Sequence, residues 1–316
     1  MLNKICFIVI KFLVWFVKKI KLDISVFDKI IYCVGDVKIG QNRQKYDTID
    51  DLTEIDTKIF SQNGEDGIID FLITKLKLRK KNFVEIGVEN YRESNTRYLY
   101  NKYHPKGLII DCIENMEEKV KPFVNLWKGD LRIANKQINS DNILTLLNER
   151  CDYEIDIFSL DIDSIDYWII DKLPKNVSKI FVAEYNPVFG PDLEVTVPNI
   201  KGFNRTQYHY SNLCYGMSLR ALINKMKTKG YYFVGVNLQK INAFFISDQY
   251  EKKKYFDKLK IKELKYYTDS NIRDSRDKNY KLNYLSGIKK LNEIKDCEVI
   301  NLKNDKQELV KIRDLL

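Results

Sequence analysis

Two short apolar runs, NFVEIGV at residues 82–88 and GLIIDC at residues 107–112, decide the fold class of this chain. Each run has the length of a strand, and neither alternates with polar residues, which is typical of strands buried on both faces of a parallel sheet. The residues between them, 94–103, have the apolar spacing of a helix. The two runs therefore predict a strand–helix–strand unit within a parallel sheet.

The same alternation of strand and helix continues on both sides of these runs. Apolar runs predict five more strands, at residues 131–138, 156–162, 179–185, 231–237 and 243–247. Helical spacing predicts helices at 68–78, 115–126, 141–149, 166–173 and 218–229. The last two strands are too close in sequence for a parallel crossover, so we expect them to be antiparallel. The pattern predicts a Rossmann-like α/β fold with a mostly parallel seven-stranded sheet and a terminal antiparallel pair.

The composition fits one such domain with additions at both ends. Of the 316 residues, 44% are hydrophobic and 12% aromatic, which is enough for a sizeable core. We expect the α/β domain to span 58–250, after an apolar N-terminal helix at 1–22 and a poorly patterned lead-in at 23–57. Residues 251–316 are predicted to form a basic C-terminal extension packed on the domain.

The two ends of the chain carry its positive charge. The formal net charge is +9, and residues 1–22 and 251–316 hold the excess of lysine and arginine, whereas the middle is nearly neutral. A nucleic-acid-binding domain would need a basic patch on its folded core, so we expect no nucleic-acid partner.

The N-terminal segment has several interpretations. Residues 5–17 are apolar except for Lys11, and lysines flank them. The run is shorter than the roughly 20 residues that span a bilayer as a helix, and no small-residue cleavage site follows it. A helix lying on the membrane surface, a helix packed on the domain and a short anchor all remain open. We expect a cytoplasmic protein, with any peripheral contact at the inner face of the membrane.

Cysteines and histidines argue against a zinc site or a disulfide framework. The six cysteines form no CxxC pair, and only two histidines are present, His104 and His209. Unpaired cysteines fit a reducing compartment. Cys112 and Cys151 lie in or beside apolar runs and are expected to be buried.

Acids and a glycine end the first two strands, where ligands bind in open parallel sheets. Gly87 allows a tight turn under a ligand, and Glu85 is predicted to accept hydrogen bonds from a ligand's amino group. Asp111 ends the second strand, where a carboxylate can accept hydrogen bonds from both ribose hydroxyls. The alternative is structural, with Asp111 as a helix N-cap and Glu85 as an edge residue.

The glycine pattern after the first strand is incomplete. Glu89 and Asn90 stand where a second glycine would be usual, and the chain has no GxGxxG. A helix N-terminus that holds a pyrophosphate is therefore not indicated. S-adenosylmethionine contains no phosphate, so the pattern favours this cofactor over NAD.

Three acids crowd the end of the fourth strand: Asp161, Asp163 and Asp166. Like charges at this spacing either bind a cation or raise one another's pKa. Oxygen ligands suit Mg²⁺ or Mn²⁺, and Asp161, Asp163 and Glu184 are the predicted metal ligands. Asp161 is also a candidate general base for an acceptor hydroxyl. For Asp166 the alternative role is to cap the following helix.

A long loop at 186–198 follows the fifth strand and is expected to shape a substrate pocket. His209 lies just beyond this loop and is predicted to act as a base or to contact the substrate. A hydrogen-bonded surface histidine is the alternative.

An ordered set of segments resembles the FkbM-type S-adenosylmethionine-dependent methyltransferases and their relatives in surface-polysaccharide gene clusters. The resemblance spans roughly residues 58–302. The matching segments are FSQNGEDGIIDFL (60–72), FVEIGVENYRESNTRYL (83–99), KGLIIDCIEN (106–115), DIFSLDIDSIDYWI (156–169), VAEYNPVFGP (182–191), GYYFVGVNLQKINAFFI (230–246) and RDSRDKNYKLNYLSG (273–287). Two positions depart from the usual pattern, Glu89 in place of a second glycine and Ser164 in place of a glycine.

The resemblance implies a class I methyltransferase fold and methyl transfer to an oxygen, often that of a sugar. It places Glu85 and Gly87 at the methionine part of the cofactor and Asp111 at its ribose. Gln62, Glu65 and Asn95 would also contact the cofactor. Asp161 and Asp163 would lie where methyl donor and acceptor meet.

Three functions remain open at this point. The first is an O-methyltransferase acting on a sugar or glycan precursor. The second is a glycosyltransferase in which Asp161-Ile162-Asp163, a DxD sequence, holds a metal on a nucleotide-sugar diphosphate. No basic residue stands out near 161–166 to meet that diphosphate. The third is a non-catalytic protein with a degenerate cofactor-binding fold.

Overall fold

The computed structural model describes residues 11, 24–270, 274–303 and 307–316. The strands are β1 Phe83–Ile86, β2 Gly107–Asp111, β3 Leu131–Asn135, β4 Ile157–Leu160, β5 Ile180–Glu184, β6 Val195–Thr196, β7 Tyr231–Val236, β8 Asn242–Ser247, β9 Glu298–Asn301 and β10 Glu308–Lys311. The helices are α1 Ile24–Arg43, α2 Glu65–Lys75, α3 Arg97–Tyr103, α4 Met116–Val120, α5 Ile143–Arg150, α6 Asp166–Lys172, α7 Arg205–Tyr208, α8 Leu219–Thr228, α9 Lys252–Phe256, α10 Leu264–Thr268 and α11 Ile288–Glu293. The N-terminal helix predicted at 1–22 lies, except for Lys11, outside the described residues.

Seven strands form the main sheet in the order β3-β2-β1-β4-β5-β8-β7. The first five strands are parallel, whereas β8 is antiparallel to both of its neighbours. The mostly parallel sheet and its antiparallel pair, predicted from the strand pattern, are confirmed. The order shows in addition that β8 lies inside the sheet and β7 at its edge.

Both faces of the sheet are covered, which explains the unbroken apolar strands. Alternate residues of β1 point to opposite faces, since successive side chains of a strand do so. Val84 and Ile86 pack with α5, α6 and α8, while Phe83 packs with α2, α3 and α4. Each strand therefore needs apolar residues at consecutive positions.

The predicted helix at 115–126 is shorter in the structure. It ends as α4 at Val120 and continues in 3₁₀ turns at Lys121–Phe123 and Leu126–Lys128. Pro122 lies in the first of these turns, and a proline lacks the backbone N–H that an α-helix requires.

A second, three-stranded sheet has the order β10-β9-β6. It joins the end of the chain to the loop after β5, because β9 pairs antiparallel with β6. Buried side chains from both parts, among them Phe189, Val195 and Val299, form a separate apolar cluster. No strand was predicted in this part of the sequence.

Helix α1 lies in the segment for which the sequence pattern indicated no regular element. It packs on the domain through Gly35, where a Cβ atom would overlap the side chain of Ile59. Ile39, one helical turn further along α1, is fully buried. Among the described residues, no helix has both the length and the apolar character needed to cross a bilayer.

Candidate functional site

A cavity of about 410 Å³ opens at the carboxyl ends of β1, β2 and β4. The register pairs Ile86 with Ile110 on one side and with Leu160 on the other. The residues that follow, Gly87, Asp111 and Asp161, therefore emerge side by side, and all three line the cavity. A volume of this size suits a small-molecule ligand.

Gly87 makes the turn at the floor of this cavity. Its φ is +85°, and a Cβ atom at this position would overlap the main-chain oxygen of Asp161. Its N–H donates to the carbonyl oxygen of Ile110. The turn thus needs glycine for its conformation and for the close approach of β4.

Glu85, predicted to contact a ligand, lines the cavity, but its carboxylate is largely engaged by the protein. It is 3% exposed, and its carboxylate accepts hydrogen bonds from the Ser94 hydroxyl, the Asn95 N–H, and the N–H and hydroxyl of Thr96. With four donors on two oxygens, little acceptor capacity is left for a ligand's amino group. Glu85 instead holds the loop before α3 against the cavity.

Asp111 lies at the end of β2 as predicted. Its carboxylate accepts hydrogen bonds from the N–H groups of Glu89, Cys112 and Ile113, at 2.7, 2.6 and 3.1 Å. These bonds use about three of the four acceptor positions of a carboxylate, so one position remains for a ligand hydroxyl instead of the two that were expected. The side chain is held in a fixed orientation at the cavity wall.

Cys112, expected to be buried, is exposed and lines the cavity, because it follows the last residue of the buried strand. Cys151 is partly exposed.

The remaining predicted cofactor contacts divide into two groups. Gln62 and Asn95 line the cavity, and the Asn95 amide donates to the Ser159 hydroxyl at 3.0 Å. Glu65 is fully buried behind the wall, and one of its carboxylate oxygens accepts hydrogen bonds from the amides of Asn237 and Asn242. Glu65 therefore ties α2 to β8 and is not a lining residue.

Three carboxylates meet at the ends of β4 and β5. Oxygen atoms of Asp161, Asp163 and Glu184 all lie within 4.8 Å of one another. The parallel register pairs Leu160 with Ala183, so Asp161 and Glu184 leave the sheet as neighbours. The sequence prediction that these three acids converge is therefore supported by their geometry.

The pKa values of the clustered carboxyls are strongly raised. Burial, and then the charges of Asp163 and Asp166, raise the pKa of Asp161 well above its ordinary value. Burial and the charge of Asp161 raise the pKa of Glu184 in the same way. The two side chains hydrogen-bond to each other, so the protonation of one depends on that of the other.

Asp166 supports the loop that follows β4. It is 1% exposed, and its carboxylate accepts hydrogen bonds from the N–H groups of Ile162 and Ser164, both at 3.0 Å. Burial raises its pKa to about 6. Asp166 is the first residue of α6 and braces the preceding turn, whereas the N-cap position belongs to Ile165.

Arg205 and Tyr215 belong to the site but were not assigned to it from the sequence. A guanidinium N–H of Arg205 donates to Asp163 at 2.6 Å, and the Tyr215 hydroxyl donates to Glu184 at 3.2 Å. The Arg205 guanidinium also lies over the Tyr215 ring, at 5.2 Å from its centroid. Partial burial raises the pKa of Asp163, and the charge of Arg205 opposes this shift. Arg205 is 42 residues away from Asp163 in sequence, so no local pattern could pair them.

His209 is not among the residues that line the cavity. Its Nδ1 atom forms a hydrogen bond with the Ser211 hydroxyl at 2.7 Å, and its ring packs on Tyr210. Partial burial lowers its pKa, although Glu293 opposes this. The predicted catalytic role is not supported, because the loop after α7 directs the ring to its own neighbours.

Other lining residues were also not predicted. They come from the turn after β3 and from the loop before α7: Lys136, Gln137, Ile138, Gly202, Phe203 and Asn204.

No protein-family model and no curated protein matches the sequence. Several solved structures resemble the chain at low identity. An S-adenosylmethionine-dependent methyltransferase from Clostridium acetobutylicum has 11% identity and a TM-score of 0.38, and the match covers 58% of this chain and 90% of that one. An S-adenosylmethionine-dependent methyltransferase from Aquifex aeolicus has 13% identity and a TM-score of 0.36, covering 65% and 96% of the two chains. A putative O-methyltransferase from Klebsiella pneumoniae has 12% identity and a TM-score of 0.31, covering 56% and 77%. At these values the residues of the cavity, and not the neighbours, have to support a function.

Proposed function

We propose that this protein binds S-adenosylmethionine in the cavity and transfers its methyl group to an oxygen of a sugar or glycan precursor. The observation that carries the proposal is the arrangement around β1. The Gly87 turn separates Asp111, on the β2 side, from the carboxylate cluster, on the β4 and β5 side. A cofactor lying across this turn would place its ribose at Asp111 and its reactive end at Asp161.

The charge of the cavity fits this cofactor. Carboxylates of Asp111, Asp161 and Asp163 line it, and Lys136 is the one basic residue among the described lining residues. S-adenosylmethionine has a positive sulfonium and a positive amino group, which acidic walls attract. A diphosphate in the same place would face like charges. The missing second glycine matters less for a cofactor without phosphate.

The residues of the cluster supply the proton chemistry. When bound, the cofactor would supply an electrophilic methyl group to the acceptor oxygen, with the neutral thioether as the leaving group. The acceptor hydroxyl loses its proton to Asp161, whose raised pKa makes it a stronger base than an ordinary aspartate. Glu184 shares that proton, and Tyr215 orients Glu184.

A divalent cation is the alternative way to activate the acceptor oxygen. Asp161, Asp163 and Glu184 would hold it, since oxygen-only ligands within 4.8 Å of one another suit Mg²⁺ or Mn²⁺. When bound, the cation would stabilise a deprotonated hydroxyl. Arg205 competes for Asp163, so metal binding would have to displace this ion pair.

Calorimetric titration with S-adenosylmethionine and S-adenosylhomocysteine tests the proposal. We expect both ligands to bind, and Asp111→Ala to weaken binding at least about tenfold through the lost ribose hydrogen bond. Asp141→Ala, at an exposed acid that does not line the cavity, is the matched control and should bind as the parent does. A folded parent protein that binds neither ligand would contradict the proposal.

A DxD glycosyltransferase is the second candidate, favoured by one observation. Arg205, which pairs with Asp163, supplies the basic group near 161–166 that was missing in the sequence. Titration with uridine-diphosphate sugars and Mn²⁺ tests this candidate. Binding of these sugars but not of S-adenosylmethionine would favour it, and binding of neither would favour a non-catalytic protein.

A further inference from the structure

Helix α1 exposes a continuous apolar stripe. Six large hydrophobic side chains are about half exposed or more: Val26 48%, Phe27 51%, Ile30 54%, Ile31 45%, Val34 65% and Val37 64%. At about 100° per residue, these positions fall within an arc of roughly 140° on one side of the helix. A stripe of this width on a surface helix is normally the side that packs on a core.

In α1 this stripe faces away from the domain. The packed side carries Gly35 against Ile59, the buried Ile39 and the buried Asn42, whose amide donates to Ile55 and Thr57. The helix therefore has a domain-facing side and, nearly opposite to it, an uncovered apolar side. Large exposed apolar surfaces on a folded domain mark interaction sites.

The charges of α1 are sorted between the same two sides. Its two acids pair with the domain, Asp28 with Arg97 and Asp36 with Lys102. Lys29 and Lys38 are exposed. The acids of the helix cannot neutralise them, because both already pair with residues of the domain. The chain before α1, residues 1–22, adds five lysines and no acid. The exposed side of α1 thus combines apolar side chains with positive charge.

We propose that the apolar stripe of α1 docks this protein on an anionic membrane surface, lying parallel to it. Two contributions favour the binding of a helix to a membrane surface. Apolar side chains enter the boundary of the acyl chains, and lysines are attracted to anionic headgroups. The stripe ends at Lys38, and Gln41 and Gln44 beyond it are exposed, so the helix leaves the interface where it turns into the domain. This surface is separate from the cavity and does not depend on the proposed reaction.

A second copy of the chain fits the stripe less well. A two-fold dimer through α1 would bring identical surfaces together, so that the lysines of one copy face those of the other. Like charges at such an interface oppose association, whereas an anionic surface attracts them.

Vesicle cosedimentation of the full chain tests the proposal. We expect the protein to bind vesicles of phosphatidylcholine mixed with phosphatidylglycerol, and to bind phosphatidylcholine alone more weakly. High salt should reduce binding to the mixed vesicles, because it screens the lysines. The double variant Lys29→Glu/Lys38→Glu should lower binding to the mixed vesicles and leave that to phosphatidylcholine unchanged.

A triple variant separates the stripe from the rest of the chain. Phe27→Ser/Ile30→Ser/Val34→Ser should reduce partitioning at least about tenfold. Thermal unfolding should change little, because these side chains are about half exposed or more and lie outside the buried core. The matched control is Leu144→Ser/Leu238→Ser/Ile288→Ser, which removes three side chains that are 41%, 57% and 65% exposed elsewhere, and it should bind like the parent.

Four outcomes would overturn the proposal. The first is that the parent protein does not sediment with the mixed vesicles. Equal binding of the triple variant and the parent would assign binding to residues 1–22 alone. A lipid-free dimer in light scattering that the triple variant loses, or a triple variant with lowered stability, would show that protein covers the stripe.

Discussion

At the scale of single residues, the site depends on a few side chains whose surroundings decide their chemistry. Glu85 and Asp161 both follow the pattern of acids at strand ends. Glu85 accepts hydrogen bonds from four donors and is a structural anchor. Burial, and then the charges of the neighbouring carboxylates, raise the pKa of Asp161. Only the second arrangement leaves a group that can accept a proton from a substrate.

Gly87→Ala tests the turn beneath the cavity. The substitution should lower the free energy of unfolding by about 3 kcal/mol, because it adds the strain of a positive φ to an overlap with Asp161. Gly216→Ala is the control, since Gly216 has a φ of +62° with open space around it and the substitution should cost only about 1 kcal/mol. Urea unfolding measures both values, and equal costs would show that the close approach of β4 is unimportant.

Asp163→Asn tests the electrostatics of the carboxylate cluster. Removing this charge takes away a cause that raises the pKa of Asp161, and it frees Arg205, so both effects lower that pKa. The base must be deprotonated to act, so activity increases as pH rises through this pKa. The acidic limb of the pH–rate profile should therefore move to lower pH in the variant.

Arg150→Gln, at an exposed residue at the end of α5, is the control and should leave the profile in place. A shift of the Asp163→Asn limb to higher pH would contradict the electrostatic account.

At the scale of elements, polar contacts and a small apolar cluster together fix α1 to the domain. Its Ile39 packs with Ile59 and Phe60, and its two acids form ion pairs. Arg97, the first residue of α3, is 2% exposed and pairs with Asp28 of α1. Its guanidinium also donates to the carbonyl of Arg92 and lies 4.0 Å from the centroid of Phe60. Burial lowers the pKa of Arg97, and Asp28 opposes that shift. This buried pair explains how a helix with an exposed apolar stripe stays attached.

Asp28→Ala should destabilise the protein by about 3 kcal/mol, because Arg97 would stay buried without its partner. Asp47→Ala removes the partner of Lys75 in a pair whose carboxylate is exposed, and it should cost far less than Asp28→Ala. Chemical unfolding of both variants checks the difference. If the two costs agree, the Asp28–Arg97 pair does not hold α1.

At the scale of the whole molecule, several aspartates are enclosed on folding. Burial raises the pKa of Asp56 to about 6 and that of Asp66 to about 7, although three backbone N–H groups donate to Asp66. A carboxyl whose pKa is raised by folding stabilises the folded state fully below its unfolded pKa, and this contribution is lost as pH rises through the folded pKa. Both groups therefore lose their contribution between about pH 4 and about pH 7.

The free energy of unfolding should consequently fall by an amount on the order of 3 kcal/mol between about pH 5 and about pH 8. Carboxyls with a lowered pKa, such as Asp51 and Asp171, lose their contribution only below the ordinary aspartate pKa, outside this window. In these two, salt bridges to lysine outweigh partial burial. Asp66→Asn should reduce the pH dependence of the free energy of unfolding, measured with urea. A free energy of unfolding that rises between about pH 5 and about pH 8 would contradict the predicted direction.

Local patterns in the sequence were enough to predict the sheet, its antiparallel pair and the strand ends that carry Gly87, Asp111 and Asp161. These features follow from apolar runs a few residues long, since a strand that is buried on both faces of a sheet needs apolar residues at consecutive positions. The register of parallel strands then brings their ends together without further information. For the same reason, the convergence of Asp161, Asp163 and Glu184 was predictable.

Packing in three dimensions sets which of these side chains can still bind a ligand or a proton and which residues surround them. The pairing of Arg205 with Asp163 joins segments 42 residues apart. Glu85 is held by the loop before α3 and His209 by Ser211, two residues further on, and neither hydrogen bond follows from a hydrophobic pattern. The second sheet needs β6 and β9, which are far apart in sequence. Helix α1 inverts the usual pattern, with its ion pairs inward and its apolar stripe outward. Hydrophobic periodicity is a local property of the chain, so it can be recognised in the sequence. Hydrogen-bond and ion-pair partners depend on how the folded chain packs, so they cannot be recognised in the same way.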